Sequence, residues 1–214
     1  MFPALPWRPP PRRLSNKILK RPAKGPAQVR NTGGPPMRPA IARRPRLEAM
    51  PASLLAKPLD YVFADHFRQR TLCNLLEELA DAAALDEALA REVVAFLAGD
   101  MALHVIDEEE DLFPLLRRRC PPEDEIGAVL GALAREHEAD ERMARDIVEG
   151  LEACATAGSA PRADPDLRAR LTEFARRQRR HLAVENSIVL PIARQRLTEL
   201  DLANLTKRMT ERRA

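Results

Sequence analysis

From residue 58 onward, the apolar residues of this sequence recur at alternating intervals of three and four, which places them along one face of a helix. The pattern runs through four long segments, without the period of two that is typical of a half-buried strand. We predict helices over residues 59–80, 86–110, 123–155 and 166–189, and a shorter amphipathic helix over 200–212. Long helices with short connections favour an all-α fold, an antiparallel up-and-down four-helix bundle with a short C-terminal helix.

Each of the four apolar stripes contains one histidine, and together they account for all four histidines of the chain. A bundle built for stability alone would carry Leu or Ile at these positions, because a buried imidazole without a hydrogen-bond partner costs about 1 to 3 kcal/mol. A single histidine on an apolar face is usually a core residue. Four of them, one on each helix, instead indicate a shared function. These residues are His66, His104, His137 and His181.

Three of the histidines are followed by a glutamate four residues later, a spacing that puts both side chains on one helix face about one turn apart. Imidazole and carboxylate ligands together suit Fe, Mn or Zn, and a carboxylate can bridge two ions. Bundles build di-iron sites in this way, from inward Glu and His side chains on all four helices. The candidate metal ligands are His66, His104, Glu108, His137, Glu141, His181 and Glu185.

Two prolines, Pro114 and Pro191, each lie ten residues after a histidine of such a pair. Proline removes a helical hydrogen bond and collides with the preceding turn, so we expect each helix to kink or stop shortly after its His and Glu. The repeated spacing also relates the first two helices to the last two. It therefore predicts a two-fold axis that passes through the site.

These motifs resemble the hemerythrin-like, or HHE cation-binding, domain family. The resemblance covers residues 58–213 and implies an up-and-down bundle around an oxo- or hydroxo-bridged di-iron centre, with Mn or Zn as the weaker alternatives. It implies that the four histidines are terminal ligands and that Glu108 and Glu185 are bridges. The motifs that carry it are Asp65-His66, His104-x-x-x-Glu108-Glu109-x-x-Leu112-Phe113-Pro114, Glu136-His137 and His181-x-x-x-Glu185.

One position departs from the oxygen-carrying members of that family, which have a histidine where this chain has Glu141. If Glu141 is a ligand, the centre has four histidines and three carboxylates and moves toward the carboxylate-rich sites that oxidise substrates or handle iron. Alternatively, Glu141 faces solvent or pairs with a neighbouring arginine, which leaves six ligands. The sequence favours neither arrangement over the other.

Two function hypotheses share this centre. The first is a non-haem di-iron protein that binds or senses a small ligand such as O2, NO or peroxide, or that handles iron. The second is a di-iron enzyme that acts as a ferroxidase or as a peroxidase or catalase. A third hypothesis, a helical interaction module with a vestigial site, predicts that the purified chain carries no stoichiometric metal.

Residues 1–50 differ from the rest of the chain, because they contain 11 of the 19 prolines and 12 Lys or Arg against one acid. They show no apolar periodicity, and we predict a disordered extension ahead of a bundle domain over residues 51–214. A basic arm of this kind attracts phosphate. We nevertheless favour a solvated tail, or a start assigned too far upstream of Met50, over nucleic-acid binding.

Three cysteines, Cys73, Cys120 and Cys154, are too few and too scattered for a disulfide framework or a Cys-based zinc site. No run approaches the ~18 apolar residues of a membrane span. We therefore expect a soluble, cytoplasmic protein without a membrane partner. The sequence does not indicate an oligomeric state.

Overall fold

The computed structural model describes residues 46–214, so most of the predicted disordered extension lies outside the described residues. No strand is present in this part of the chain, as predicted. Two π-helical turns occur, at Asp107–Leu112 and Glu185–Val189, together with short 3-10 turns at Ala52–Ala56, Pro122–Asp124 and Pro161–Ala163. The helices are α1 Pro58–Asp81, α2 Glu87–Ala98, α3 Asp100–Ile106, α4 Phe113–Arg119, α5 Ile126–Ala157, α6 Pro165–Val184, α7 Leu190–Arg196 and α8 Glu199–Glu211.

Several helices begin at residues whose local chemistry favours a helix start. Pro58 occupies the first turn of α1, where its missing N–H removes no helical hydrogen bond. The Asp86 carboxylate accepts a hydrogen bond from the Leu89 N–H at the start of α2. At α8, Thr198 and Asp201 form a reciprocal capping box. These residues favour helix starts through local chemistry alone, which explains why the predicted helix starts lie close to the observed ones.

The four arms of the bundle are α1, the run from α2 to α4, α5, and the run from α6 to α7. Helix α6 packs along both α1 and α5, while α2 packs against α1 and α5. The predicted all-α, up-and-down four-helix bundle with a short C-terminal helix is thus confirmed. Helix α8 contacts α1, the 3-10 turn before α1 and the first π turn. None of the described helices is both long enough and apolar enough to span a membrane.

The two prolines act through the π turns. Pro114 and Pro191 each stand in the first turn of the helix that follows, α4 or α7. In the preceding turn the Phe113 N–H bonds to the Glu108 carbonyl and the Leu190 N–H to the Glu185 carbonyl, the five-residue step of a π-helix. The expected kink or stop therefore takes the form of a widened turn, and each widened turn begins at or next to a candidate ligand.

The apolar core consists of two clusters separated by a polar layer. One cluster includes Leu76, Ile147 and Phe174, and the other includes Phe113 and Leu130. Along α1 and α5, the histidines stand between the residues of the first cluster and those of the second. The polar layer is therefore closed off at both ends by packed side chains.

Candidate metal centre

Four imidazoles meet in the polar layer, one from each arm of the bundle. His66 lies on α1, His104 on α3, His137 on α5 and His181 on α6. All four are buried, with exposed fractions between 1% and 7%. The rings form two close pairs, because the centroids of His66 and His104 are 5.2 Å apart and those of His137 and His181 are 4.7 Å apart. The structure thus brings together all four predicted histidines.

Two glutamates belong to both histidine pairs. One ligand atom each from His66, His104, Glu108 and Glu185 lie within 4.8 Å of one another, and so do single ligand atoms from His137, His181 and the same two glutamates. Glu108 is 1% exposed and Glu185 is 0% exposed. The site is therefore two four-residue groups that share a pair of carboxylates.

The two oxygens of each shared carboxylate face different histidine pairs. Glu108 Oε1 is 3.5 Å from His104 Nε2, and Glu108 Oε2 is 3.5 Å from His137 Nε2. Glu185 Oε2 is 3.4 Å from His66 Nε2, and its Oε1 is 2.9 Å from His181 Nε2. Each carboxylate therefore spans the gap between the two pairs.

The Nδ1 atom of every histidine faces a side-chain oxygen on a neighbouring arm. An oxygen of this kind accepts a hydrogen bond, so the neutral ring carries its proton on Nδ1 and directs the Nε2 lone pair toward the centre. Three of the partners are carboxylates and one is an amide. The pairs are His66 and Asn186 at 2.9 Å, His104 and Asp65 at 3.1 Å, His137 and Glu109 at 2.7 Å, and His181 and Glu136 at 2.9 Å.

These partners form a closed ring around the bundle. Asp65 on α1 contacts the histidine of α3, and Glu109 in the first π turn contacts that of α5. Glu136 on α5 contacts the histidine of α6, and Asn186 in the second π turn contacts that of α1. Each partner is adjacent in sequence to a candidate ligand on its own arm. Asp65, Glu109 and Glu136 stand inside the sequence motifs without a predicted role, and Asn186 is not part of any of those motifs. The available signal was a polar residue directly beside each ligand position.

Several buried atoms at the centre have no hydrogen-bond partner. These atoms are the two carboxylate oxygens of Glu108, the two carboxylate oxygens of Glu185 and His66 Nε2. The Nε2 atoms of His137 and His181 are only 3.0 Å apart. Lone pairs and carboxylates that converge without donors suit a bound cation, which would satisfy all of them at once. The residues present therefore fit a pair of metal ions.

Within each pair, one imidazole takes a proton easily and the other does not. Burial disfavours the charge on His104, but Glu108 and Asp65 outweigh it and raise the pKa of that ring to about 10. Burial likewise opposes charge on His181, and Glu185 raises its pKa to about 9. Burial lowers the pKa of His66 to about 4.

The remaining groups at the centre follow the same physical causes. Burial, reinforced by the charge on His181, lowers the pKa of His137. Burial also raises the pKa of Glu108 well above its usual value, and the neighbouring Glu185 acts in the same direction. Burial acts to raise the pKa of Glu185 as well, but the positive charge of the neighbouring His181 outweighs it and brings the pKa of Glu185 below its usual value. At neutral pH, the metal-free centre therefore carries protons on His104 and His181, at atoms that would otherwise bind a cation.

Glu141 lies apart from the other six candidate ligands. Its side chain is 72% exposed and bonds to Arg145, one turn further along α5. It belongs to neither four-residue group. Of the two arrangements left open by the sequence, the structure has the one in which Glu141 pairs with a neighbouring arginine.

Two arginines that directly follow α8 contact the first π turn. Arg212 bonds to Asp107, Glu110 and Asp111, and Arg213 bonds to Asp107 at 2.6 Å. Asp107 and Asp111 are 2% and 5% exposed. These ion pairs hold the turn that carries Glu108. This contribution of the C-terminal segment is not predictable from the motifs of the sequence.

The comparisons with known proteins agree with this geometry. The family model described as hemerythrin HHE cation binding domain matches residues 57–193, which is more than half of the chain. The match spans the seven candidate ligands and ends ahead of α8. A search of the curated proteins finds no match. The family match over more than half of the chain shows that this chain belongs to the hemerythrin HHE cation-binding domain family.

Proposed function

We propose that this chain holds two metal ions in its ring of histidines and that Glu108 and Glu185 are shared between them. His66 and His104 serve one ion, and His137 and His181 serve the other. The observation that carries the proposal is the orientation of the two carboxylates, because each directs one oxygen toward each histidine pair. A carboxylate in that position can bridge two ions.

Iron is the metal that this donor set supports best. Mixed imidazole and carboxylate ligands on the four arms of a bundle are the composition of di-iron sites, whereas Mn and Zn accept similar ligands as alternatives. Two bound irons would supply reversible one-electron chemistry and a place for a small exogenous ligand. We therefore propose that the protein binds or senses O2, NO or peroxide, or handles iron.

The chain itself contributes orientation and exclusion of water. The four Nδ1 partners orient each ring so that its Nε2 points inward. An acceptor bonded to Nδ1 also raises the basicity of Nε2, the atom that would bind the metal. The apolar clusters on both sides of the layer limit access of solvent. The protein therefore fixes the positions of the candidate ligands before metal binds, and the bound metal pair would supply the chemistry.

Metal content of matched variants tests this proposal. We expect about two irons per chain after anaerobic purification and reconstitution, with little or no bound iron in Glu108→Gln. Glu141→Gln is the matched control, since it makes the same chemical change four residues after a histidine but outside the cluster. Unchanged iron content in Glu108→Gln, or loss in Glu141→Gln, would refute the shared-carboxylate centre.

A di-iron enzyme is the alternative function for the same residues. It predicts catalytic turnover of ferrous iron or hydrogen peroxide by the iron-loaded chain, and loss of that turnover in His104→Ala. Binding of O2 or NO without turnover supports the binding or sensing function instead. The optical spectrum of the loaded protein, recorded before and after the ligand is added, reports binding independently of turnover.

A further inference from the structure

A buried arginine stands beside the metal layer on α1. The side chain of Arg68 is 10% exposed, and the residue lies two positions after His66. An arginine is rarely buried to this extent unless it is paired, because removal of its charge from water is unfavourable. A guanidinium remains protonated in proteins and has no lone pair for a metal. Arg68 is therefore not a ligand, and its contacts must explain its position.

The Arg68 guanidinium joins two aspartates on different helices. Its Nη1 donates to Asp65 Oδ1 on α1 at 2.8 Å, and its Nη2 donates to Asp100 Oδ2 at the start of α3. The guanidinium carbon also lies 4.8 Å from the centre of the Phe96 ring on α2, a distance at which a cation is attracted to an aromatic face. Arg68 therefore contacts residues on both sides of Gly99, where α2 ends and α3 begins.

One of these aspartates also contacts a histidine of the metal layer. Asp65 Oδ2 is 3.1 Å from His104 Nδ1, and the Gln69 amide donates to the same oxygen at 3.4 Å. Asp100 and His104 are four residues apart on α3, which places them one turn apart on one face of that helix. The pair formed by Arg68 and Asp65 thus holds the helix that carries His104 at two points.

The other half of the metal layer is built differently. The carboxylate that contacts His181 belongs to Glu136, whose side chain is 34% exposed, and none of the described arginines bonds to it. That half does contain a comparable ion pair, in which Arg177 donates to the buried Asp140 at 2.7 Å. The second oxygen of Asp140 accepts from Gln178 and not from a histidine. The two arginine pairs are therefore alike in chemistry but differ in what the aspartate contacts next.

We propose that Arg68 is a positioning residue for one of the two metal ions, the ion assigned to His66 and His104. Arg68 holds Asp65 against His104 Nδ1 and so fixes the direction of the His104 Nε2 lone pair. The two metal positions are unequal in this respect, because the carboxylate behind His104 is held by an arginine and the carboxylate behind His181 is open to solvent. This inference rests on the proposed function, since it assigns Arg68 to one position of that centre.

A role through position and a role through charge predict opposite results for Arg68→Met. A positive charge repels a nearby metal ion, so a role through charge alone predicts tighter metal binding when the charge is removed. A positioning role predicts weaker binding. We expect one of the two stepwise dissociation constants for zinc to rise about tenfold and the other to change by less than about threefold. Unchanged or tighter binding, or equal weakening of both ions, would overturn the proposal.

Zinc is the probe because it is redox-inert, and competition with a chromophoric chelator measures both constants on the full-length chain. Arg177→Met is the matched control, since it also removes an arginine from a buried aspartate. It should leave both zinc constants unchanged, even if urea unfolding shows that the two metal-free variants lose similar stability. A loss of zinc affinity in Arg177→Met equal to that in Arg68→Met would show that the effect is not specific to Arg68 and would overturn the assignment.

A double substitution tests whether Arg68 acts through Asp65. Asp65→Asn keeps an acceptor for His104 but removes the negative charge that Arg68 binds. Residues in one chain of contacts have non-additive effects, so Arg68→Met should weaken zinc binding much less in the Asp65→Asn background than in the unmodified chain. Fully additive effects would mean that Arg68 acts by another route, and the proposal would fail.

Arg68→Lys provides a second test if Arg68→Met does not fold. A lysine keeps the charge beside Asp65 but lacks the planar fork that reaches Asp65 and Asp100 together. Zinc affinity should fall at one position in this variant as well, and an unchanged affinity would refute the inference.

Failure of this inference can be distinguished from failure of the metal proposal. If the unmodified chain binds two zinc ions and neither Arg68 variant alters their affinity, the role of Arg68 alone fails. If the unmodified chain binds neither zinc nor iron, the metal proposal fails and the role of Arg68 fails with it.

Discussion

The Arg212 guanidinium donates to Asp107 Oδ1 at 2.8 Å, and this contact ties the C-terminal helix to the turn that carries Glu108. Asp107 is 2% exposed and immediately precedes the shared glutamate. Arg212 also reaches Asp111, so one side chain neutralises two buried acids of the π turn. Glu108, a candidate metal ligand, is therefore held in part by contacts from beyond the matched family region.

Removal of Arg212 should destabilise the protein. In Arg212→Ala, the buried Asp107 and Asp111 keep only Arg213 and Arg208 as cations, and we expect a loss of about 2 kcal/mol in the free energy of unfolding. Lys207→Ala, within α8, is the control, because its pair with Glu211 is exposed and 3.9 Å long; it should change stability by less than about 0.5 kcal/mol. Urea unfolding followed by circular dichroism measures both. Equal effects of the two variants would contradict the role given to Arg212.

Substitution of a carboxylate that orients a histidine should weaken metal binding without changing the ligands. In Glu136→Gln, His181 keeps a hydrogen-bond acceptor but loses a negative partner, and we expect an affinity about 10-fold lower. Glu149→Gln, on an exposed position of the same helix, is the control. Competition with a chromophoric chelator gives both affinities. An affinity of Glu136→Gln equal to that of the control would show that the hydrogen bond does not act on the metal.

The affinity for metal should increase with pH through the neutral range. The metal-free site holds protons on His104 and His181, whose pKa values are raised to about 10 and about 9. A metal ion must displace these protons, so below about pH 9 a rise in pH weakens the competition from protons and a fall in pH strengthens it. We expect about a tenfold increase in apparent affinity per pH unit for each proton displaced. Zinc titrations at pH 6.5, 7.5 and 8.5 test this expectation, and an affinity independent of pH would refute it.

Metal should stabilise the fold, and Glu108 should be needed for that gain but not for folding. Because Glu108 and Glu185 repel each other when both are charged, a neutral amide in Glu108→Gln should leave the metal-free protein within about 1 kcal/mol of the original or more stable. A metal at 100 times its Kd should add about 2.7 kcal/mol to the unmodified chain. Calorimetric melting with and without ferrous iron measures both quantities. The same metal-induced rise in Tm for Glu108→Gln would count against the shared carboxylate.

Much of the fold follows from local signals that can be identified in the sequence. The apolar stripes, the caps at Asp86 and Thr198 and the prolines near helix starts each act over a few residues, which is why the helices could be predicted. The division between α2 and α3 at Gly99 was missed. The π turns were not predicted either. A proline indicates that a helix is disturbed, but it does not specify whether the helix kinks, ends or widens into a π turn.

The meeting of the four histidines in one layer could be predicted for a different reason. Burial of a histidine is costly, so four histidines on buried faces, three of them with a glutamate one turn away, indicate a shared site. The spacing alone could not separate Glu141 from Glu108 and Glu185. That separation depends on the rotation of α5 relative to its neighbours, which places Glu141 toward solvent and Arg145. The ring of Nδ1 partners is likewise a property of packing between helices.

Anomalous diffraction from crystals of the iron-loaded protein tests the shared-carboxylate centre most directly. We predict two iron peaks in the polar layer, one beside His66 and His104 and the other beside His137 and His181, each in contact with an oxygen of Glu108 and an oxygen of Glu185. A single peak, or two peaks of which only one contacts the glutamates, would contradict the centre proposed for this chain.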